Sequence, residues 1–130
     1  MMEEEKKKIK SFTDLNAWKE AHTLVLMVYT AAKDFPNEEQ FGLINQLRCA
    51  AVSITSNIAE GFSRSSYKDK AHFYATALGS LTEVQNQLLV ARDVGYLHNT
   101  VFNSIADQTV MVSKLLNGLI KSSKQNFHNS

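Results

Sequence analysis

Gln46, Cys49, Ser53, Asn57, Glu60 and Arg64 recur at alternating intervals of three and four residues. On a helix that spacing puts all six on one face. The row offers a thiol, a hydroxyl, two amides, a carboxylate and a guanidinium, groups used for hydrogen bonding, acid–base work or covalent catalysis. Catalysis needs more than the row supplies. Cys49 would act as a nucleophile only beside a base in an electropositive setting, and no histidine lies within a turn of it. A buried or half-buried, inert thiol is therefore expected. Gln46, Ser53, Asn57 and Glu60 are read as a structural or interface line, hydrogen-bonding between helices or protomers. A half-buried Glu60 would need a partner such as Arg48 or Arg64.

The other reactive residues are scattered. A di-iron site in a bundle takes inward glutamates plus Glu-x-x-His on two helices. The nearest approach is one pair, Asp69 with His72, beside a loop. His22 reads as a boundary histidine near Trp18, and His98 and His128 fall in a loop and the tail. Phosphate-cradling glycine loops, His-Glu-x-x-His and G-x-S-x-G are all missing from the sequence. No catalytic residue, metal ligand, cofactor or small-molecule substrate is expected. Arg48, Arg64, Lys68 and Lys70, with Tyr67 interleaved, are the candidates for nucleic acid. Their cations would meet phosphates and the tyrosine ring would stack on an unpaired base.

Bulk properties narrow the class. The chain has 130 residues, 44% of them hydrophobic, with five Gly and one Pro. That size is one domain, and that composition suits a few long helices joined by short loops. A single cysteine excludes an internal disulfide and fits a reducing, cytoplasmic setting. A net charge of +1 lacks the basic excess of strong nonspecific nucleic-acid binders. Residues 1–10 are charged and contain no signal-peptide core. The longest near-apolar stretch, Leu24 to Ala32, is too short to span a bilayer, so no membrane role is expected.

Four helices position these groups. The first is expected from about Thr13 to Phe35, with Ser11 or Thr13 as cap, Pro36 as stop, and Trp18, Ala21, Val25, Val28, Tyr29, Ala32 and Phe35 as its stripe. The second is expected from about Glu38 to Phe62, capped by Asn37 and built on Leu43, Leu47, Ala50, Ala51, Ile54 and Ile58. The third follows a short loop, from Tyr67 to Val94, with Ser66 and Asp69 resembling a capping box and Gly95 as terminator. The fourth runs from about Thr100 to Ser122, with Val101, Ile105, Val112, Leu116 and Leu119 inward. Short loops between helices of this length force antiparallel neighbours. The fold class is all-α, an antiparallel up-and-down four-helix bundle over residues 11–122, with a flexible charged arm (1–10) and a frayed tail (123–130). If each helix buries one stripe, second apolar faces remain on the first and third helices. Leu24, Met27, Phe73, Ala77 and Val84 are then the expected oligomer interface.

The sequence also resembles a known family. Phe12-Thr-Asp-Leu-Asn-Ala-Trp18, Phe35-Pro36 with Glu39, and Phe41-Gly42-Leu43 with Gln46 resemble its opening. Ala50-Ala-Val-Ser-Ile-Thr-Ser-Asn-Ile-Ala-Glu-Gly61 resembles its most distinctive segment. Ala77-Leu-Gly-Ser-Leu-Thr-Glu83 and Gly95-Tyr96-Leu97 follow in order. This is similar to the four-helix-bundle family named for proteins encoded in intervening sequences of 23S ribosomal RNA genes. The resemblance spans about Phe12 to Leu97. It implies an up-and-down bundle, a homopentamer and a link to RNA. The chain departs from the family pattern at Thr55, often proline there, and at Cys49, often a second basic residue. The first predicts a straighter second helix, and the second removes a cation from that face. The expected function is a non-enzymatic, oligomeric binding or scaffold module with RNA or a nucleoprotein as partner. The alternative is a protein–protein scaffold with no nucleic-acid role.

Overall fold

The computed structural model describes residues 8–129. Most of the expected arm (residues 1–7), Ser130 and the His128 side chain lie outside the described residues. Four helices, α1 (Asn16–Ala32), α2 (Leu43–Ser63), α3 (Tyr67–Asp93) and α4 (Asn99–Asn129), run up and down as an antiparallel bundle. Helices adjacent in sequence pack together, and α4 closes the bundle against α1. Short 3₁₀ turns, Phe12–Asp14 and Asn37–Glu39, precede α1 and α2.

Local chemistry explains most of the helix ends. Ser11 and Asp14 form a reciprocal capping box around the 3₁₀ turn Phe12–Asp14, while α1, expected from about Thr13 with Ser11 or Thr13 as cap, starts at Asn16 without a side-chain cap. The α3 start is held by the Ser66 hydroxyl, which accepts from the Asp69 N–H at 3.1 Å. At its other end Gly95 sits at φ +90°. The Tyr96 N–H donates to the Ala91 carbonyl at 2.9 Å, and the Gly95 N–H donates to Arg92 at 3.1 Å. This is a Schellman closure, and its left-handed residue favours glycine. The second helix departs from expectation. It starts at Leu43 rather than Glu38, because Gly42 leaves the helical path at φ −109°, ψ −111°. Asn37 supplies no side-chain cap; Glu39 does, its Oε1 accepting the Leu43 N–H at 3.2 Å.

Two elements join at the pole that holds the α1–α2 and α3–α4 connections. The Tyr96 hydroxyl donates to Glu39 Oε2 at 2.9 Å, and the Tyr96 ring lies 5.6 Å from Phe35. The bond to Glu39, followed by burial, holds the Tyr96 hydroxyl pKa above its ordinary value. A raised pKa means that this contribution to stability is complete below the unfolded value near 10 and is lost as pH rises through the folded one. Tyr96→Phe should therefore melt below the natural chain at neutral pH. The gap should close at strongly alkaline pH, once pH rises through the folded pKa and the phenolate faces Glu39 and Glu38. Thermal melts at the two pH values check this.

The core is continuous through all four helices. Leu24, Val28, Leu47, Ile54, Ile58, Leu81, Val84, Leu88, Ile105, Val112 and Leu116 are fully or almost fully buried. Three of the five residues expected at an oligomer interface, Leu24, Ala77 and Val84, belong to this core. That expectation is corrected. A helix in a four-helix bundle touches two neighbours, so it buries two stripes within one chain. Met27 and Phe73 are half-buried at the edges of the core. Tyr29 and Val101, expected inward, are exposed. Two half-buried glutamines are bonded across helices, while Arg48 Nε and Gln87 Oε1 are buried without a hydrogen-bond partner among the described residues. Gln85 donates to Thr109 Oγ1 at 3.2 Å, and Gln108 donates to the Glu20 carbonyl at 2.8 Å.

The last helix corrects the expected C-terminal boundary. It continues past Ser122 to Asn129. No Gly or Pro follows Gly118 to stop it. Ser123 is buried, and Lys124 and Phe127 lie along the first turns of α3. Packing, rather than composition, carries the helix through this polar stretch.

Candidate nucleic-acid interface

Gln46, Cys49 and Ser53 of the polar row on α2 line a groove of about 420 Å³ against α3, together with Asn45, Ser80, Glu83 and Gln87. One bond crosses it: the hydroxyls of Ser53 and Ser80 share a hydrogen bond of 2.9 Å. Asn57 turns back to its own helix and donates to the Ser53 carbonyl at 2.8 Å and to its hydroxyl at 3.1 Å. Glu60 is exposed rather than half-buried and pairs with Arg64 at 3.4 Å, four residues on. Gln46 is exposed. Cys49 is exposed as well, not buried, because it lies on the solvent flank beside the Leu47 and Ala50 stripe. Its sulfur approaches the Asn45 amide oxygen at 3.6 Å. Of the four residues read as a structural line, only Ser53 bonds between helices among the described residues.

The basic candidates separate into two places. Arg48 lies over the Tyr29 ring at 4.8 Å, at the seam of α1 and α2. It is sixteen residues before Arg64, about 24 Å along α2 at the rise of a helix. Arg48 is therefore not part of one surface with the loop cations. Lys70 is beside the loop but committed. Its Nζ donates to the Phe62 carbonyl at 2.7 Å and to the Gly61 carbonyl at 3.4 Å. It thereby neutralises the carbonyl end of α2, and burial pushes its pKa down. Arg64 lies over the Phe73 ring at 4.6 Å. Tyr67 and Lys68 are exposed on the first turn of α3.

The antiparallel path then assembles a surface that the sequence reading missed. The start of α1, the end of α2, the start of α3 and the end of α4 share one pole. Lys8, Lys10, Arg64, Lys68, Lys70, Lys121 and Lys124 gather there, with Asp14, Glu60 and Asp69 as counter-charges. The opposite pole carries Asp34, Glu38, Glu39 and Asp93 with Lys33 and Arg92. The charge of the described residues is thus polarised along the long axis of the bundle. Within the basic pole, Tyr67, Lys68, Ala71, His72 and Ala75 of α3 face Lys124 and Phe127 of α4 across a cleft of about 410 Å³. The α4 half carried one sequence signal: no Asp or Glu occurs after Asp107, while Lys114, Lys121 and Lys124 do.

No group of three or more His, Cys, Asp or Glu side chains among the described residues is arranged to hold a metal ion. No helix among them is long and apolar enough to cross a membrane. His22 is exposed and stacks on Trp18 with ring centroids 4.7 Å apart. An apolar groove of about 490 Å³ runs between α1 and α4, bordered by Leu26, Met27, Val101 and Ile105.

Comparison with known proteins agrees with this architecture. The model of the family described as 23S rRNA-intervening sequence protein matches residues 13–118. Among solved structures, the chain is similar to a crystal structure from Bacteroides thetaiotaomicron, a protein of unknown function in the S23 ribosomal protein family. The TM-score is 0.75 at 23% identity, covering 81% of this chain and 95% of that one. That likeness shows the shared bundle fold. Among curated proteins, none matches the chain.

Proposed function

The chain belongs to the family of 23S rRNA-intervening sequence proteins, and from that premise we propose that it is a non-enzymatic, self-assembling cytoplasmic bundle that binds RNA through its basic pole. The observation that carries this reading is the polarised charge, with Lys68, Lys121 and Lys124 exposed at one end of the molecule. Lysines that neutralise phosphates release counterions, which makes such binding strongly salt-dependent. Self-assembly is supported by apolar surface that the single chain leaves uncovered, including Leu26 and Val101 beside the α1–α4 groove. Repeating the pole around a closed ring would multiply a modest local charge.

Two measurements test this. Light scattering should give the mass of several chains, five being the number that the family resemblance implies. A stable monomer would remove the assembly and the multiplied charge. Fluorescence anisotropy with a labelled RNA should show binding at about 50 mM salt that weakens strongly by about 200 mM. An oligomer with no RNA affinity at low salt would refute the RNA reading and leave a protein-interaction scaffold.

A further inference from the structure

We propose that the cleft between the start of α3 and the end of α4 receives an unpaired nucleobase, so that the basic pole selects single-stranded over double-stranded RNA. The inference rests on the RNA reading above and names what that pole recognises.

Tyr67 and Phe127, 43% and 46% exposed, are large rings on the walls of one cleft. Its floor is Ala71 and Ala75, one turn apart on α3, whose methyl groups leave the space between the walls open. At about 410 Å³ the cleft is within the range of small-ligand sites. Lys68 follows Tyr67, and Lys124 lies one turn before Phe127, so each ring has a cation beside it. This pairs stacking surfaces for a base with charges for the adjoining phosphates, the combination by which single strands are bound without sequence readout. A base inside a duplex is already stacked and paired and cannot enter such a cleft. The one acid of the α3 first turn, Asp69, does not line it.

The test uses the whole chain with a single-stranded oligoribonucleotide carrying 2-aminopurine and with a hairpin duplex of equal length. Binding of the single strand should quench the 2-aminopurine, and the single strand should bind more tightly than the duplex. Tyr67→Ala and Phe127→Ala should each weaken the single strand about five- to a hundredfold, with duplex affinity unchanged. Tyr67→Phe should bind like the natural chain, because stacking uses the ring and not the hydroxyl. Circular dichroism melts identify any variant that loses affinity by unfolding, and for such a variant Tyr67→Phe and the quenching decide. RNA binding with equal affinity for strand and duplex, or unquenched 2-aminopurine, would overturn the cleft and leave the RNA reading intact. Absence of RNA binding at low salt would overturn both. A mononucleotide that displaces the oligonucleotide at equal concentration would assign the cleft to free nucleotides and overturn the single-strand preference.

Discussion

Gly61→Leu will destabilise the bundle by about 3 kcal/mol or more, lowering the melting temperature of a chain this size by about 10 °C. Gly61 is buried on α2 against Phe73 and Tyr74 of α3. A Cβ built there would lie 2.8 Å from Tyr74 Cε1 and 3.0 Å from Phe73 Cβ. Neither neighbour yields easily. Tyr74 is 3% exposed, so its ring has no open space to enter, and the Phe73 Cβ is fixed to the α3 backbone. Even alanine should cost stability. Its gain of about 1 kcal/mol in helix propensity is set against an overpacking cost of about 1–3 kcal/mol. Gly79→Ala is the contrasting variant. Gly79 lies inside α3, is exposed, and has nothing within 4 Å of an added Cβ. It should stabilise the chain by about 0.5–1 kcal/mol. Urea unfolding of the three variants measures both signs. A neutral Gly61→Leu would show that the α2–α3 crossing is looser than its geometry requires.

Reversing two charges at the basic pole should have the largest effect on binding. Lys68→Glu with Lys124→Glu should reduce affinity for single-stranded RNA at low salt by tenfold or more. It should also lower the slope of log affinity against log salt by about 1.4, the share of two phosphate contacts on a single strand. Both side chains are exposed, so the melting temperature should barely move. Lys70→Ala and Arg48→Ala should behave in the opposite way. Lys70 holds the carbonyl end of α2, and Arg48 covers Tyr29. Their loss should reduce stability and leave the salt slope of RNA binding unchanged. Anisotropy titrations across a salt series, beside thermal melts, separate the two classes. RNA binding that survives the double reversal with its salt slope intact would rule out this surface.

The residues that carry the family resemblance have visible structural work. Glu39 caps α2 with one oxygen and binds the Tyr96 hydroxyl with the other, so two separate motifs meet at one pole. Gly61 closes the long α2 motif at the point where Tyr74 presses on the backbone. At the opposite pole from Glu39, the arrangement of charge is particular to how four helix ends come together.

Helix number, the stop at Gly95, and the stripes of Leu47, Ile54, Ile58, Ile105 and Leu116 were legible in the sequence, because turn chemistry and helical periodicity are local; the first helix ends at Ala32, short of the expected stop at Pro36. Two things were not. Leu24, Ala77 and Val84 looked available to a partner, since periodicity counts the stripes on a helix but not the neighbours that cover them. In the bundle each helix has two neighbours, and both stripes are used inside the chain. The cleft between α3 and α4 is also a product of tertiary structure. Tyr67 and Lys68 lie almost sixty residues from Lys124 and Phe127, and the polar composition after Ser122 reads as a frayed end. Only the antiparallel return of α4 along α3 keeps that end helical and sets its ring and its lysine opposite theirs.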